Sequence, residues 1–254
     1  MKVWHLGQKL LFLAGLLAVW ALLARFGPWP HHLFPGPKAV TESLLAMAWD
    51  GRLWEAIARS LGRLTQGYVL SVLIGVPLGI IMGRVRLVRR VLRPLVVGLQ
   101  ALPSICWLPL ALLWFGLTET SIIFVVVMGS VLAVSIAVED GVMNVDPLLL
   151  RVASTYGIRG ARFHAGVLLP AALPGIVTGL KLGWSFAWRA LMAGELLYVS
   201  GGLGQLLTMG RELMEISQVM AVMVAIILVG TFIDRVLFQS VEVRVRRRWG
   251  LAAG

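Results

Sequence analysis

The sequence is short of charge and of sulfur ligands. Only 14% of its 254 residues are Asp, Glu, Lys or Arg, against about 25% in an average soluble domain. Soluble enzyme folds and disordered chains are thereby excluded. The one cysteine, Cys106, cannot close an internal disulfide, and His5, His31, His32 and His164 stand in no metal-ligand spacing with it, which argues against a structural metal site. Acidic residues are scarce too, 12 against 23 Lys and Arg. No G-x-x-x-x-G-K-[ST] stretch occurs, so the chain lacks the phosphate cradle of a P-loop ATPase. Internal repeats and low-complexity tracts are absent as well.

What is abundant is apolar. The apolar set makes up 59% of residues and the mean hydropathy is +0.88. With 28 Gly and 11 Pro, this is the composition of a polytopic membrane protein, where neighbouring helices satisfy backbone groups that Gly and Pro leave open. Segments free of charge run from Leu10 to Ala24, Leu64 to Gly83, Pro94 to Thr118, Thr120 to Val138, Phe163 to Leu180 and Ile216 to Ile233. Since about 20 apolar residues cross a bilayer, they predict an all-α chain with six transmembrane helices. The fifth is expected to continue past Lys181 and Arg189 to about Tyr198. The first could be a signal peptide, but Ala21 to Arg25 leads into aromatics and Pro rather than a small-x-small site, and an uncleaved first span is expected.

Six spans put both termini on one side, together with Lys2, Lys9, Arg84 to Arg93, Arg151, Arg159, Arg162, Arg235 and Arg244 to Arg248, 15 basic residues in all. The other side holds six, Arg25, Lys38, Arg52, Arg59, Arg63 and Arg211, balanced by Glu42, Asp50, Glu55, Glu119, Glu212 and Glu215. The excess of Lys and Arg predicts cytoplasmic termini and makes the net charge of +11 a signal of membrane orientation rather than of nucleic-acid binding. Residues 1–55 form a first span with an outer loop whose interfacial helix covers Lys38 to Trp49. Residues 56–241 form a five-helix core, and 242–254 a basic cytoplasmic tail.

One cytoplasmic segment, Gly141 to about Leu169, is long enough to fold by itself. Asn144 or Asp146 can cap a helix beginning at Pro147, Gly157 permits a reversal, and a second helix from Arg159 is expected to end at Pro170. Arg151, Tyr156, Arg159, Arg162 and His164 are read as its exposed face, shaped to enter a cleft in a soluble partner. The alternative is an ordinary amphipathic connector.

In this segment, Arg151-Val152-Ala153, Gly157 and Leu169-Pro170 match the spacing E-A-A, three residues, G, then about a dozen residues to L-P. The chain thereby resembles the permease subunits of bacterial ABC importers, although Arg151 stands where the family has Glu and Val152 where it has Ala. LRPLVVGLQALPSICWLPLALLWFG (Leu92 to Gly116), LPAALPGIVTGLKLGWSFAWRALMAGELL (Leu169 to Leu197) and GLGQLL (Gly202 to Leu207) extend the resemblance from Ala56 to Trp249, nearest to the nitrate, sulfonate and taurine branch. The resemblance implies a type I ABC importer permease fold, a dimer with a second permease copy, two ATPase subunits that bind ATP and Mg and dock on the loop, and a solute-binding protein outside. It implies no cofactor on this chain and inward movement of a small anionic solute by alternating access.

Lys181, Ser185 and Arg189 recur every four residues on one helical face. They are read as a cationic wall for an anion, or as structural charges with Arg189 paired to Glu195 or to a partner subunit. Gln100, Ser104, Trp107, Trp184 and Trp188 are further candidate lining residues. Pro77, Pro103, Pro109 and Pro174 allow kinks, and Gly75-x-x-x-Gly79 suits a close helix crossing. An ion-driven carrier or channel is the competing class. It would need its own ion site, and neither paired intramembrane carboxylates nor two repeated halves are present. An intramembrane enzyme is disfavoured because Cys106 has no nearby base.

Overall fold

A computed structural model describes residues 2–30, 32–197 and 201–249. His31 and Tyr198, and the side chains of Lys2, His5, Lys9 and Arg246, lie outside the described set. Among the described residues there is no strand. Close contacts divide the chain into two units, Met1–Arg59 with Val199–Leu228 and Ser60–Tyr198 with Val229–Gly254.

The first unit contains α1 (Lys2–Phe26) and α2 (Pro37–Trp49), tied by the Trp20 indole donating to the Pro35 carbonyl at 3.2 Å. Helix α2 starts on Pro37, whose missing amide costs nothing at a helix start. The apolar part of α1, Leu11–Phe26, is short for a span, and it leaves Leu11, Phe12, Leu16 and Leu22 exposed, as a lipid-facing helix does.

Helix α3 (Arg52–Arg84) begins in the first unit and continues in the second. There follow α4 (Arg86–Gln100), a 3-10 turn at Ser104–Trp107 and α5 (Leu108–Phe115). The stretch expected as the third span, with Pro103 allowing a kink, is bent by 98° between α4 and the segment Ser104–Phe115. The bend falls at Pro103, which has no amide to carry a helical bond across it. Among the described residues, four helices are long and apolar enough to cross a membrane, or five if the bent pair is one span. The expected count of six therefore depends on the bent pair and on short α1.

Helix α6 (Glu119–Met143) is the centre of the second unit, with Val125, Val126, Val134 and Val138 fully buried. It is hydrophobic all round because neighbours cover it all round. On α3, Gly67, Ser71, Gly75, Gly79 and Gly83 fall on one i, i+4 stripe. A Cβ on Gly75 would come within 2.9 Å of the Val131 carbonyl, and one on Gly79 would collide with the Ser135 carbonyl. Ser71 sits in the stripe as a polar link, accepting from the Ser130 hydroxyl at 2.6 Å. On the other side, α9 (Leu169–Leu197) meets α6 so closely that Gly141 and Gly175 touch backbone to backbone. In a bilayer, such small-residue ladders replace the hydrophobic drive that lipid tails remove.

The remaining elements are α7 (Pro147–Thr155), α8 (Gly160–Phe163), a π turn His164–Leu168, α10 (Leu203–Glu212), α11 (Ile216–Ile233), a second π turn Asp234–Gln239 and α12 (Ser240–Arg248). Pro170 does not end a helix as expected. The coil runs from His164 to Leu197 without a break, and the π turn widens it just before the residue that cannot donate. The basic tail is likewise helical to Arg248, and the Trp249 indole donates to the Pro170 carbonyl at 2.9 Å.

Candidate functional site

The segment between α6 and α9 is built by local capping chemistry. The Asp146 carboxylate accepts from the Leu148 amide at 2.7 Å, and Pro147 takes the first helical position. At the far end Gly157 has φ +70°, the Ile158 amide donates to the Ala153 carbonyl, and the Gly157 amide donates to the Ser154 carbonyl, both at 3.0 Å. This paired closure needs a left-handed residue, which glycine supplies without a Cβ clash. Val145, Ala153 and Leu168 are buried, with Leu150 and Phe163 packed beside them, so the element is seated on the ends of α6 and α9. The Arg84 guanidinium lies 5.1 Å from the Phe163 ring centroid.

Facing away from that seat are Arg151, Arg159, Arg162 and His164, with Tyr156 81% exposed and Leu148, Leu149 and Val152 also uncovered. An exposed cluster of aliphatic, tyrosine and arginine side chains on a rigid short helix is the composition of a protein interface centre. Leu169 and Pro170 are half-buried where the element joins α9.

The candidate path residues separate into groups. A cavity of about 260 Å³ at the bend is lined by Gln100, Ala101, Pro103, Ser104, Gly129 and Arg189, among others, which brings together Gln100, Ser104 and Arg189 from three segments. Arg189 is exposed, its Nε donates to the Ser185 carbonyl at 3.1 Å, and its guanidinium stacks 4.6 Å from the Phe186 centroid. Among the described residues it makes no ion pair. Its two terminal nitrogens therefore present a planar fork suited to an oxyanion.

Lys181 is not part of that cavity. It ion-pairs with Asp234 at 3.9 Å and Glu242 at 3.3 Å, so of the two cations on this helical face only Lys181 has carboxylate partners among the described residues. Ser185 bonds back to the Lys181 carbonyl. Trp188 is half-buried against Gly230, and Trp184 is buried in the core with Leu64, Ile122 and Leu191. Trp107 is half-buried against the cluster of Leu108, Ala111 and Val125.

Glu195 overturns a second expectation. It is fully buried and pairs with Arg63 at 2.9 Å, not with Arg189, while the Ser60 hydroxyl lies 2.9 and 2.8 Å from its two oxygens. The other end of the Arg63 guanidinium holds Glu119 at 2.7 Å. Arg63 and Glu119, counted above as outer-loop charges, thus join α3, α6 and α9 through one buried cluster. At the opposite end of α6, buried Glu139 is held by Arg89 at 2.9 Å and Arg93 at 2.7 Å. Sequence reasoning passed over both clusters, because residues such as Arg63 and Glu195 are separated by 132 positions. The signal available was that an Arg and a Glu each lie inside or at the edge of apolar runs, where an unpaired charge is expensive.

No group of three or more His, Cys, Asp or Glu could hold a metal ion among the described residues. A family model described as "Binding-protein-dependent transport system inner membrane component" matches residues 75–247. The taurine transport system permease protein of Escherichia coli is 33% identical over 227 residues, covering 87% of this chain and 82% of its own length. An Escherichia coli permease protein named for aliphatic sulfonates transport is 31% identical over 252 residues, covering 99% and 95%. A probable ABC transporter permease protein of Brucella melitensis is 32% identical over 232 residues, covering 91% and 93%. Among solved structures, a chain of the inward-facing MetNI methionine ABC transporter superposes with a TM-score of 0.65 at 20% identity, covering 79% of this chain and 98% of that one.

Proposed function

Because this chain belongs to the binding-protein-dependent transport system inner membrane component family of ABC transporter permeases, we propose that it is the inner-membrane subunit through which a small sulfonate-bearing solute of the taurine or alkanesulfonate class enters the cell. Two copies form the path. Two separate ATPase subunits bind ATP and Mg and dock on Arg151–Pro170, a binding protein delivers solute from outside, and both termini are cytoplasmic. Relatives named for taurine and aliphatic sulfonates support the solute class.

The observation that carries this reading is the continuity of α6 and α9. Both grip the α7–α8 element through Val142, Leu168 and Ala172, and both line the cavity at the bend, α6 with Met128 and Gly129, α9 with Phe186 and Arg189. A displacement of the element by an ATPase is therefore carried along two packed helices to the walls around Arg189. Packed cores pass on displacement because they deform little. The Arg189 fork meets the sulfonate oxygens, while Gln100 and Ser104 offer neutral hydrogen-bonding groups.

The test is ATP-dependent uptake of taurine and a short alkanesulfonate into vesicles holding the permease, its ATPase and its binding protein. Arg189→Gln is expected to retain the ATPase on purification and to lose uptake. Gly157→Val, which forces a β-branched residue into the left-handed region, is expected to lose the ATPase itself. Full uptake by correctly inserted Arg189→Gln would overturn the anion role, and ATPase retention by Gly157→Val would overturn the docking role.

A further inference from the structure

A second cavity, of about 370 Å³, lies where α3, α9 and the last helical segment meet. Its walls include Tyr68, Val72 and Leu73 from α3, Leu180 from α9, and Leu237 and Val241 from the second π turn and α12. No charged residue lines it, and the Tyr68 hydroxyl is turned away to donate to the Leu180 carbonyl at 2.7 Å. It shares no lining residue with the cavity at Arg189.

The helical spacing continues this apolar stripe into charge. Leu237, Val241, Arg244 and Arg248 follow one another at intervals of four, three and four, so they lie along one side of the terminal helix. Arg244 and Arg248 are exposed and make no ion pair among the described residues. Eleven residues separate Leu237 from Arg248, about 16 Å at 1.5 Å per residue. One leaflet of hydrocarbon is about 15 Å thick. Trp249 anchors this end of the helix to Pro170, as an indole does at a membrane interface.

We propose that this groove is a binding site for one anionic phospholipid of the inner leaflet, an acyl chain filling the space between Val72, Leu180 and Val241 and the phosphate held by Arg244 and Arg248. Charge selects the occupant: a groove meant for a protein helix alone would gain nothing from two unpaired arginines at its cytoplasmic end. An anionic headgroup there is held about fivefold more tightly for each arginine. The bound lipid ties the basic tail to α3 and α9, the helices that carry the buried charge cluster and the Arg189 cavity.

The experiment uses the full chain in mild detergent with phosphatidylglycerol carrying a photoactivatable group near the acyl terminus, phosphatidylcholine with the same group as the control, and native mass spectrometry of retained lipid. Phosphatidylglycerol is expected to label peptides containing Val69–Leu73 and Leu237–Val241, with phosphatidylcholine labelling them weakly. Arg244→Ala/Arg248→Ala is expected to lower retained phosphatidylglycerol about thirtyfold, following from the loss of two arginine charges, while Arg244→Lys/Arg248→Lys restores it. Labelling confined to other helices would overturn the proposal. So would equal retention by the double alanine variant eluting as a monodisperse species. Cross-linking of a Val69→Cys variant to a second copy through this face would assign the groove to the permease dimer instead and equally reject the lipid.

Discussion

Helix α9 carries three ionised side chains, and their surroundings differ in kind. At its C-terminal end Glu195 is fully buried and gripped by Arg63 and Ser60, and nearer the N-terminal end Lys181 is paired with Asp234 and Glu242. Between them Arg189, among the described residues, meets a backbone carbonyl and an aromatic face and no carboxylate. Four-residue spacing makes Lys181 and Arg189 look equivalent, yet only one has charge to spare. Ion pairs at the two ends are part of what holds the helix in place, and the exposed guanidinium between them lines the cavity at the bend.

That contrast is broken most severely at Arg63. Arg63→Ala removes the cation that two carboxylates share, one of them wholly buried, and should cost about 3–5 kcal/mol, read as a collapse of thermal stability in detergent and loss of the monodisperse species. Arg63→Ala/Glu195→Gln should recover part of that loss, and if it recovers none the cluster does not act as a unit. Lys181→Met is milder, about 1 kcal/mol, because this pair is partly screened; a melting shift as large as that of Arg63→Ala would contradict its partial exposure. Arg189→Gln should leave stability within about 0.5 kcal/mol of the parent while abolishing uptake, and a large loss of stability would mean that it, too, is structural.

Asp50 marks the lower limit of the series. The Arg52 amide, followed by its side chain, holds the Asp50 carboxyl below its ordinary value of 3.8. A carboxyl lowered on folding contributes stability that is present at neutral pH and is lost as pH falls through the lowered value. Protection of the Arg52 amide from hydrogen exchange should therefore be constant from pH 7 down to the carboxylate range and drop only below it. Asp50→Asn should remove that drop, and an unchanged profile would show that the contact is not felt.

Much of the α7–α8 element was legible because its chemistry is local. Asp146, Pro147 and Gly157 act on neighbours a few positions away, and the stripe Gly75, Gly79 announces a close crossing through helical spacing alone. Pro170 misled for the same reason: a rule about one residue and its fourth neighbour cannot anticipate a π turn that shifts the bonding pattern. The bend at Pro103 was visible as a proline but not as an angle of 98°. The cavity residues Gln100, Ser104 and Arg189 were each singled out, while nothing in the sequence joined them to one another or separated them from Lys181.

By itself the sequence determined that the chain is helical and membrane-embedded, which segments are apolar enough to span, which stripe of small residues suits a close crossing, and where the helix at Pro147 begins and the chain reverses at Gly157. These follow from composition, periodicity and short-range hydrogen bonding. Tertiary structure alone decided which charges are spent and which are free, because Coulomb attraction depends on separation in space. The partners of Glu195 and Lys181 lie 132 and 61 positions away along the chain.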